Sequence, residues 1–241
     1  MTLSNIHAAE VLLPTRDLGA DLTFFEFRGA PRGRAGAGML HRIGWRVGSA
    51  EALDFWEERL RAAGHESERD GDRLRFADSE GLEHELIVAT VDDQPLIADH
   101  PEVPAEFALQ GFDFARAYSA DPERSAPLLD ALAFDPTGDG YEVRGAQRGG
   151  TWHYDEPPAE PGSEGAGTVH HIAWASLVDD HEKWRERVAE SGLNPTPIID
   201  RFYQEVVAAM RDEKIHGIFV NKFRVDVPLT PPEELRKGIA E

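Results

Sequence analysis

The sequence predicts an α+β fold assembled from β-α-β-β-β modules, and three observations predict it. The chain repeats itself: Gly36-Ala37-Gly38-Met39-Leu40-His41-Arg42-Ile43-Gly44-Trp45 matches Gly165-Ala166-Gly167-Thr168-Val169-His170-His171-Ile172-Ala173-Trp174 at an offset of 129 residues. A second block, Trp56-Glu57-Glu58-Arg59-Leu60 and then Gly64, matches Trp184-Arg185-Glu186-Arg187-Val188 and Gly192 at an offset of 128. Each copy reads as a strand, a short turn and an amphipathic helix, and the first continues into further short strand-like runs.

The elements follow in order. Ile6 to Leu13 reads as a strand and Asp17 to Phe25 as a helix, after which the chain runs straight into Gly29-Ala30-Pro31-Arg32-Gly33-Arg34. By repeat arithmetic this first module is short by roughly two strands, which would leave a sheet edge to be covered. In the second module Leu53, Trp56, Leu60 and Ala63 recur at helical spacing, with Ser49 placed to cap the start and Gly64 the end. Arg73 to Phe76 and Glu83 to Val88 read as strands joined by Ser79-Glu80-Gly81. The outline recurs from Gly111, with a strand through Tyr118, a helix seeded by Asp121-Pro122, then Tyr141 to Val143 and Thr151 to Tyr154. Pro122 suits a first helical turn, while Pro127 should bend or shorten that helix. In the fourth module Asp179 or Asp180 caps the helix and Gly192 ends it. Residues 1–92 thus form an N-terminal half, 93–110 a linker with three prolines, and 111–241 a C-terminal half, with a second flexible connector from Pro157 to Gly167. Trp45, Trp56, Trp174 and Trp184 fall at equivalent repeat positions, which marks them for packing.

Composition narrows the function classes. The chain has 241 residues, 41% of them hydrophobic, which is enough for a sizeable core. Its net charge of −20 argues against a nucleic-acid partner, since neutralising phosphates needs clustered Lys and Arg. No apolar run approaches a membrane span and no signal-peptide core is present, so a cytoplasmic protein is expected. Zero cysteine removes disulfides, thiolate ligands and a Cys nucleophile, leaving His and carboxylate oxygen as the strong metal ligands. Lys183, Lys214, Lys222 and Lys237 are the only lysines. Excess carboxylate with so little lysine fits a salt-adapted (halophilic) surface or an ordinary acidic protein, and composition does not choose between them.

The stretches 29–38, Gly167-Thr168-Val169-His170-His171-Ile172-Ala173-Trp174 and Ile199-Asp200-Arg201-Phe202-Tyr203 resemble the vicinal oxygen chelate superfamily of glyoxalases, bleomycin-resistance proteins and extradiol dioxygenases. Within it they resemble the hydroquinone-type ring-cleaving dioxygenases, over about residues 24–203. That resemblance implies paired βαβββ modules forming two cup-like mixed-sheet halves, the first module incomplete. It also implies Fe(II) or Mn(II) held by two His and one Glu, a facial set that leaves positions open for substrate and dioxygen.

Carried over residue by residue, the resemblance puts one metal-binding His on His171, with His170 beside it as the acid or base that handles the substrate proton. Adjacent strand residues face opposite sides, so one of the pair at most is expected on the metal. The other family His falls at Ala8, with His7 next to it. The family Glu falls at Asn221, which offers a neutral oxygen. A one-residue shift would present His7, and Asp226 or Glu205 would then have to supply the carboxylate. Arg201 matches an arginine that steadies an anionic substrate or intermediate. In the other half, His41 aligns with His170 and Arg42 with His171, and Arg42 beside Glu85 is expected to form an ion pair rather than a metal site. His153 and Tyr154 should border the cavity of the second half, in the core or at its rim.

The implied function is a metal-dependent, extradiol-type dioxygenase acting on a small aromatic diol. The alternatives are a metal-poor binding or vestigial protein of the same fold that holds an aromatic ligand, and a glyoxalase-type isomerase or lyase. The unpaired edge of the first module points to a homodimer.

Overall fold

A computed structural model of the chain describes residues 8–13, 22–25, 30–98, 100–145, 148–174, 176–177, 180–197 and 225–226. Its elements run β1 (Ala8–Leu13), β2 (Leu22–Phe25), β3 (Leu40–Val47), α1 (Ala50–Ala62), β4 (Ser67–Asp70), β5 (Arg73–Ala77), β6 (Glu83–Val88), β7 (Phe112–Tyr118), α2 (Ala126–Ala131), β8 (Asp135–Pro136), β9 (Tyr141–Arg144), β10 (Gly149–Asp155), β11 (Val169–Trp174), β12 (Ser176–Leu177), α3 (His181–Glu190) and β13 (Val225–Asp226). Among these residues no helix is long and apolar enough to cross a membrane.

Local chemistry accounts for the helices. The Ser49 hydroxyl accepts from the Ala52 N–H at 3.2 Å and starts α1, and Gly64, at φ +82°, takes the left-handed position just past its end. Pro122 opens a 3-10 turn over Pro122–Ser125, and Pro127 sits in the first turn of an α2 only six residues long. Asp180 stands at the start of α3, where its carboxylate accepts from Lys183 and makes no capping bond.

The second and third modules share one eight-stranded sheet of order β4-β5-β6-β3-β7-β10-β9-β8. They meet through their first strands, β3 antiparallel to β7, and each first strand pairs in parallel with the last strand of its own module, β3 with β6 and β7 with β10. Residues 93–110 connect β6 to β7, so the strands before and after this segment belong to the same sheet. One face is apolar and carries the helices. Ala52 and Leu53 of α1 pack on Val47, Leu74 and Leu86, and Leu129 of α2 on Ile43, Ala115, Ala117, Val143 and Trp152. The alternate residues, Arg42, Glu83, Glu85, Arg75, Arg116 and Asp155, put charge on the opposite face.

A second sheet has the order β11-β1-β2, with β1 parallel to β11 and β2 antiparallel to β1. Relative to β11, strands β1 and β2 therefore stand where β6 and β5 stand relative to β3. The helix expected over Asp17 to Phe25 is corrected at its end: Leu22–Phe25 is a strand, because Leu-Thr-Phe-Phe is a β-branched and aromatic run that pairs with β1.

The glycine-rich stretch of the first repeat copy lies backbone to backbone on the connector before β11. Arg32 and Arg34 form isolated bridges to Ala166 and Ser163, and a Cβ on Gly33 would fall 2.7 Å from the Gly165 nitrogen. Only glycine permits that approach.

Candidate functional site

The polar face of the large sheet is organised by a bulge. Leu40 pairs with Ala117 and Arg42 with Arg116, which leaves His41 as the extra residue. A bulge re-aims its side chains, and here two successive residues approach one carboxylate. The Arg42 guanidinium donates to Glu83 Oε2 at 2.6 and 2.8 Å, while His41 Nδ1 lies 3.7 Å from the same oxygen. His41 is buried, stacks on Tyr118 with ring centroids 3.9 Å apart, and contacts Asp155 Oδ2 through Nε2 at 2.8 Å. Arg116 grips both oxygens of Asp155, at 2.6 and 2.7 Å. His41 on one side and Arg42 on the other hold the Glu83 carboxyl at about 2. Arg116, then His41, hold Asp155 well below the usual carboxylate range. A cavity of about 390 Å³ opens beside Asp155, lined also by Ser119, Pro122 and Tyr154.

Glu85, 1% exposed at its side chain, is surrounded by guanidinium groups: Arg75 at 3.0 Å, Arg42 at 3.4 Å, and Arg73. Burial would raise its carboxyl, and Arg73 and Arg75 reverse that and hold it below its ordinary value. The expected Arg42–Glu85 ion pair is therefore present, and Arg42 binds Glu83 more closely still. At the far end of the face Arg46 is fixed by Asp93 at 2.5 Å, Asp113 at 2.6 Å and the Gly149 carbonyl at 2.8 Å. Between the two clusters the Phe114 ring lies across Gly44, where an added Cβ would fall 2.3 Å from it. His153 bonds the Thr151 hydroxyl at 2.9 Å and the Asp139 carbonyl at 3.1 Å.

Most of these groups are satisfied by one another, but His41 Nδ1 is buried without a hydrogen-bond partner. Among the described residues no three His, Asp or Glu side chains are gathered to hold a metal ion. In this half a guanidinium stands at the repeat position of His171 and neutralises the carboxylates itself.

The residues singled out for chemistry fall in the other sheet. His170 and His171 lie on β11, and His170 is exposed. β1 begins directly after His7 and runs parallel to β11. Asp226 is in β13, level with Leu177. His7, Glu205, Arg201 and Asn221 lie outside the described residues. One position was missed in the sequence: the register sets Glu10 level with His171. No motif signals it, because Glu10 and His171 stand far apart in the chain and only strand pairing brings them together.

Two modules joined through their first strands, helices on one face and charge on the other, define the class as an α+β fold of paired βαβββ modules. No family model matches the chain. It is similar to MhqO of Bacillus subtilis (strain 168), provisionally named a ring-cleaving dioxygenase, with 30% identity over 233 residues covering 92% of this chain and 73% of that protein. MhqE of the same organism, similarly named, is 30% identical over 203 residues, covering 78% of this chain and 64% of that protein. A crystal structure of a Bacillus subtilis protein, provisionally titled a dioxygenase, matches with a TM-score of 0.64 and 30% identity over 76% of this chain and 62% of that one. The chain belongs to this family of ring-cleaving dioxygenases, as its resemblance to the vicinal oxygen chelate superfamily implied. It spans less than two thirds of the solved relative and about three quarters of MhqO.

Proposed function

We propose that the chain is a metal-dependent, extradiol-type dioxygenase that opens the ring of a small aromatic diol, using Fe(II) or Mn(II). The observation that carries this reading is the 30% identity to a ring-cleaving dioxygenase over 92% of the chain. β11, which carries His170 and His171, pairs in parallel with β1, the sense in which β3 meets the last strand of its own module. Family membership supports the reaction class.

The donors the resemblance implies are the imidazoles of His7 and His171 and the amide of Asn221. Imidazole suits either ion, but three neutral donors leave its double charge unopposed, so this set fits once a carboxylate joins it. When bound, such an ion supplies adjacent positions for a diol and dioxygen. The chain's own residues do the rest. His170, exposed on β11, takes the proton of a diol hydroxyl and returns one to the product. Arg201 steadies the anionic ring. One ring C–C bond breaks and both atoms of O₂ enter the product.

A second reading, a metal-poor protein of the same fold that binds an aromatic ligand, draws on Arg42: its contact with Glu83 at 2.6 Å supports a module pair stable without metal. Oxygen uptake with hydroquinone or catechol by protein loaded anaerobically with Fe(II) separates the two. We also propose that the chain acts as a homodimer.

A further inference from the structure

We infer that the cavity beside Asp155 is a second ligand site, which takes a small aromatic molecule carrying an ammonium group. It lies at the end of β10, outside the sheet that holds His170 and His171, and is built from residues that the dioxygenase reading does not use.

The second and third modules, compared at the same place in their shared sheet, point to it. In the second module β3 and β6 end on the pair Val47 and Val88, and in the third β7 and β10 end on Tyr118 and Asp155. In both, the chain then turns from the first strand into a helical segment. Beyond Val47 the Ser49 cap starts a regular α1, and the protein's own chain covers the turn. Gly48 lies against Gln110, where an added Cβ would fall 2.8 Å from the side-chain nitrogen. In the same covering segment Phe107 stacks on Phe55, ring centroids 5.1 Å apart, and its carbonyl accepts the Trp56 indole N–H at 2.7 Å. Beyond Tyr118 the cap is missing: the Asp121 side chain makes no capping bond, and Pro122 opens a 3-10 turn. Here the turn borders the cavity of about 390 Å³ instead. One module closes this place with an aromatic segment of the chain, and the other leaves room there, within the volume range of small-molecule sites.

The walls define the ligand. Tyr154, Pro122 and Pro157 offer apolar surface to a ring. Tyr154 is itself fixed by edge-on contacts with Trp152 and Tyr141, ring centroids 5.8 and 6.4 Å away, so this wall stands before anything binds. The lining carries two carboxylates, Asp155 and Glu156, and no cationic side chain. Arg116 and His41 keep Asp155 ionised. Glu156 is exposed and has no ion-pair partner among the described residues. An ionised carboxylate accepts hydrogen bonds and donates none, so the ligand must bring the donors, and an ammonium group brings three with the charge that Glu156 lacks. On a chain of net charge −20 an anion would be repelled.

The experiment titrates the whole chain with benzylamine, its neutral analogue benzyl alcohol and the anion benzoate. Binding is followed by ligand-observed nuclear magnetic resonance and folding by circular dichroism. Benzylamine should bind about fivefold more tightly than benzyl alcohol at low salt, the advantage shrinking as salt is added, and benzoate should not bind. Glu156→Gln should bring benzylamine down to the level of benzyl alcohol. Ala120→Phe, at an exposed position on the cavity wall, places a ring in the space and should abolish binding of both. Benzylamine that does not bind, benzoate that binds as well, or binding that survives in a folded Ala120→Phe each overturns the inference. Should Ala120→Phe fail to fold, Glu156→Gln decides, and an unchanged preference for benzylamine overturns it. Binding that follows the expected pattern supports the site whether or not the protein consumes oxygen with a diol.

Discussion

At the scale of single residues, His84 on the apolar face links stability to pH. His84 is buried, stacks on Phe76 and accepts the Trp45 indole N–H at Nδ1, 3.0 Å away. Burial pushes its pKa down from 6.5 to about 4. Because the folded value is the lower one, the unfolded chain binds the extra proton first. The contribution is fully present above pH 6.5 and is lost as the pH falls from 6.5 to about 4, by about 3 kcal/mol in all. Urea unfolding across that window, compared with His84→Gln, checks it: the parent should lose stability relative to the variant, and parallel curves would contradict it. Some residue chemistry was legible in the sequence, such as the Arg42–Glu85 pair, because the repeat put a cation where a ligand would otherwise stand. The approach of His41 and Arg42 to one Glu83 was not. It depends on one unpaired residue in β3, and a bulge exists only relative to the partner strand.

At the scale of elements, α1 and the strands β3, β5, β6, β7, β9 and β10 were readable from apolar periodicity and turn residues. β4 was not, for a physical reason. Ser67-Glu68-Arg69-Asp70 is an edge strand with no apolar face, and its conformation comes from pairing with β5. β2 escaped notice because four residues are too few to show a period, and its conformation comes from pairing with β1. The close fit of β3 on β7 gives a direct test. Gly44 lies under Phe114, a buried ring, so Gly44→Ala drives a methyl group into it and should destabilise the protein by about 1–3 kcal/mol. In a Phe114→Ala background the same substitution should cost much less. Equal costs in the two backgrounds, measured by denaturant midpoints, would show that the ring is not the obstacle.

At the scale of the whole molecule, the repeat was legible because its copies share a motif, and it correctly forecast paired modules. Which strands would stand beside β11 was not. The sequence suggested that the first module lacks strands, and the structure sets β1 and β2 beside β11 in the places that β6 and β5 take beside β3. A carboxylate near the start of the chain thereby comes level with a histidine more than half the chain away. The proposed dimer is checked by light scattering over a range of salt concentrations: a mass near 53 kDa, twice the 26.7 kDa chain, is expected, and a monomer throughout would contradict it. The most direct test of the central claim is oxygen consumption by the Fe(II)-loaded chain with a simple aromatic diol. One O₂ should be taken up per ring opened, with both oxygen atoms recovered in the product when ¹⁸O₂ is supplied. A metal-loaded, folded protein that binds the diol and takes up no oxygen would contradict it.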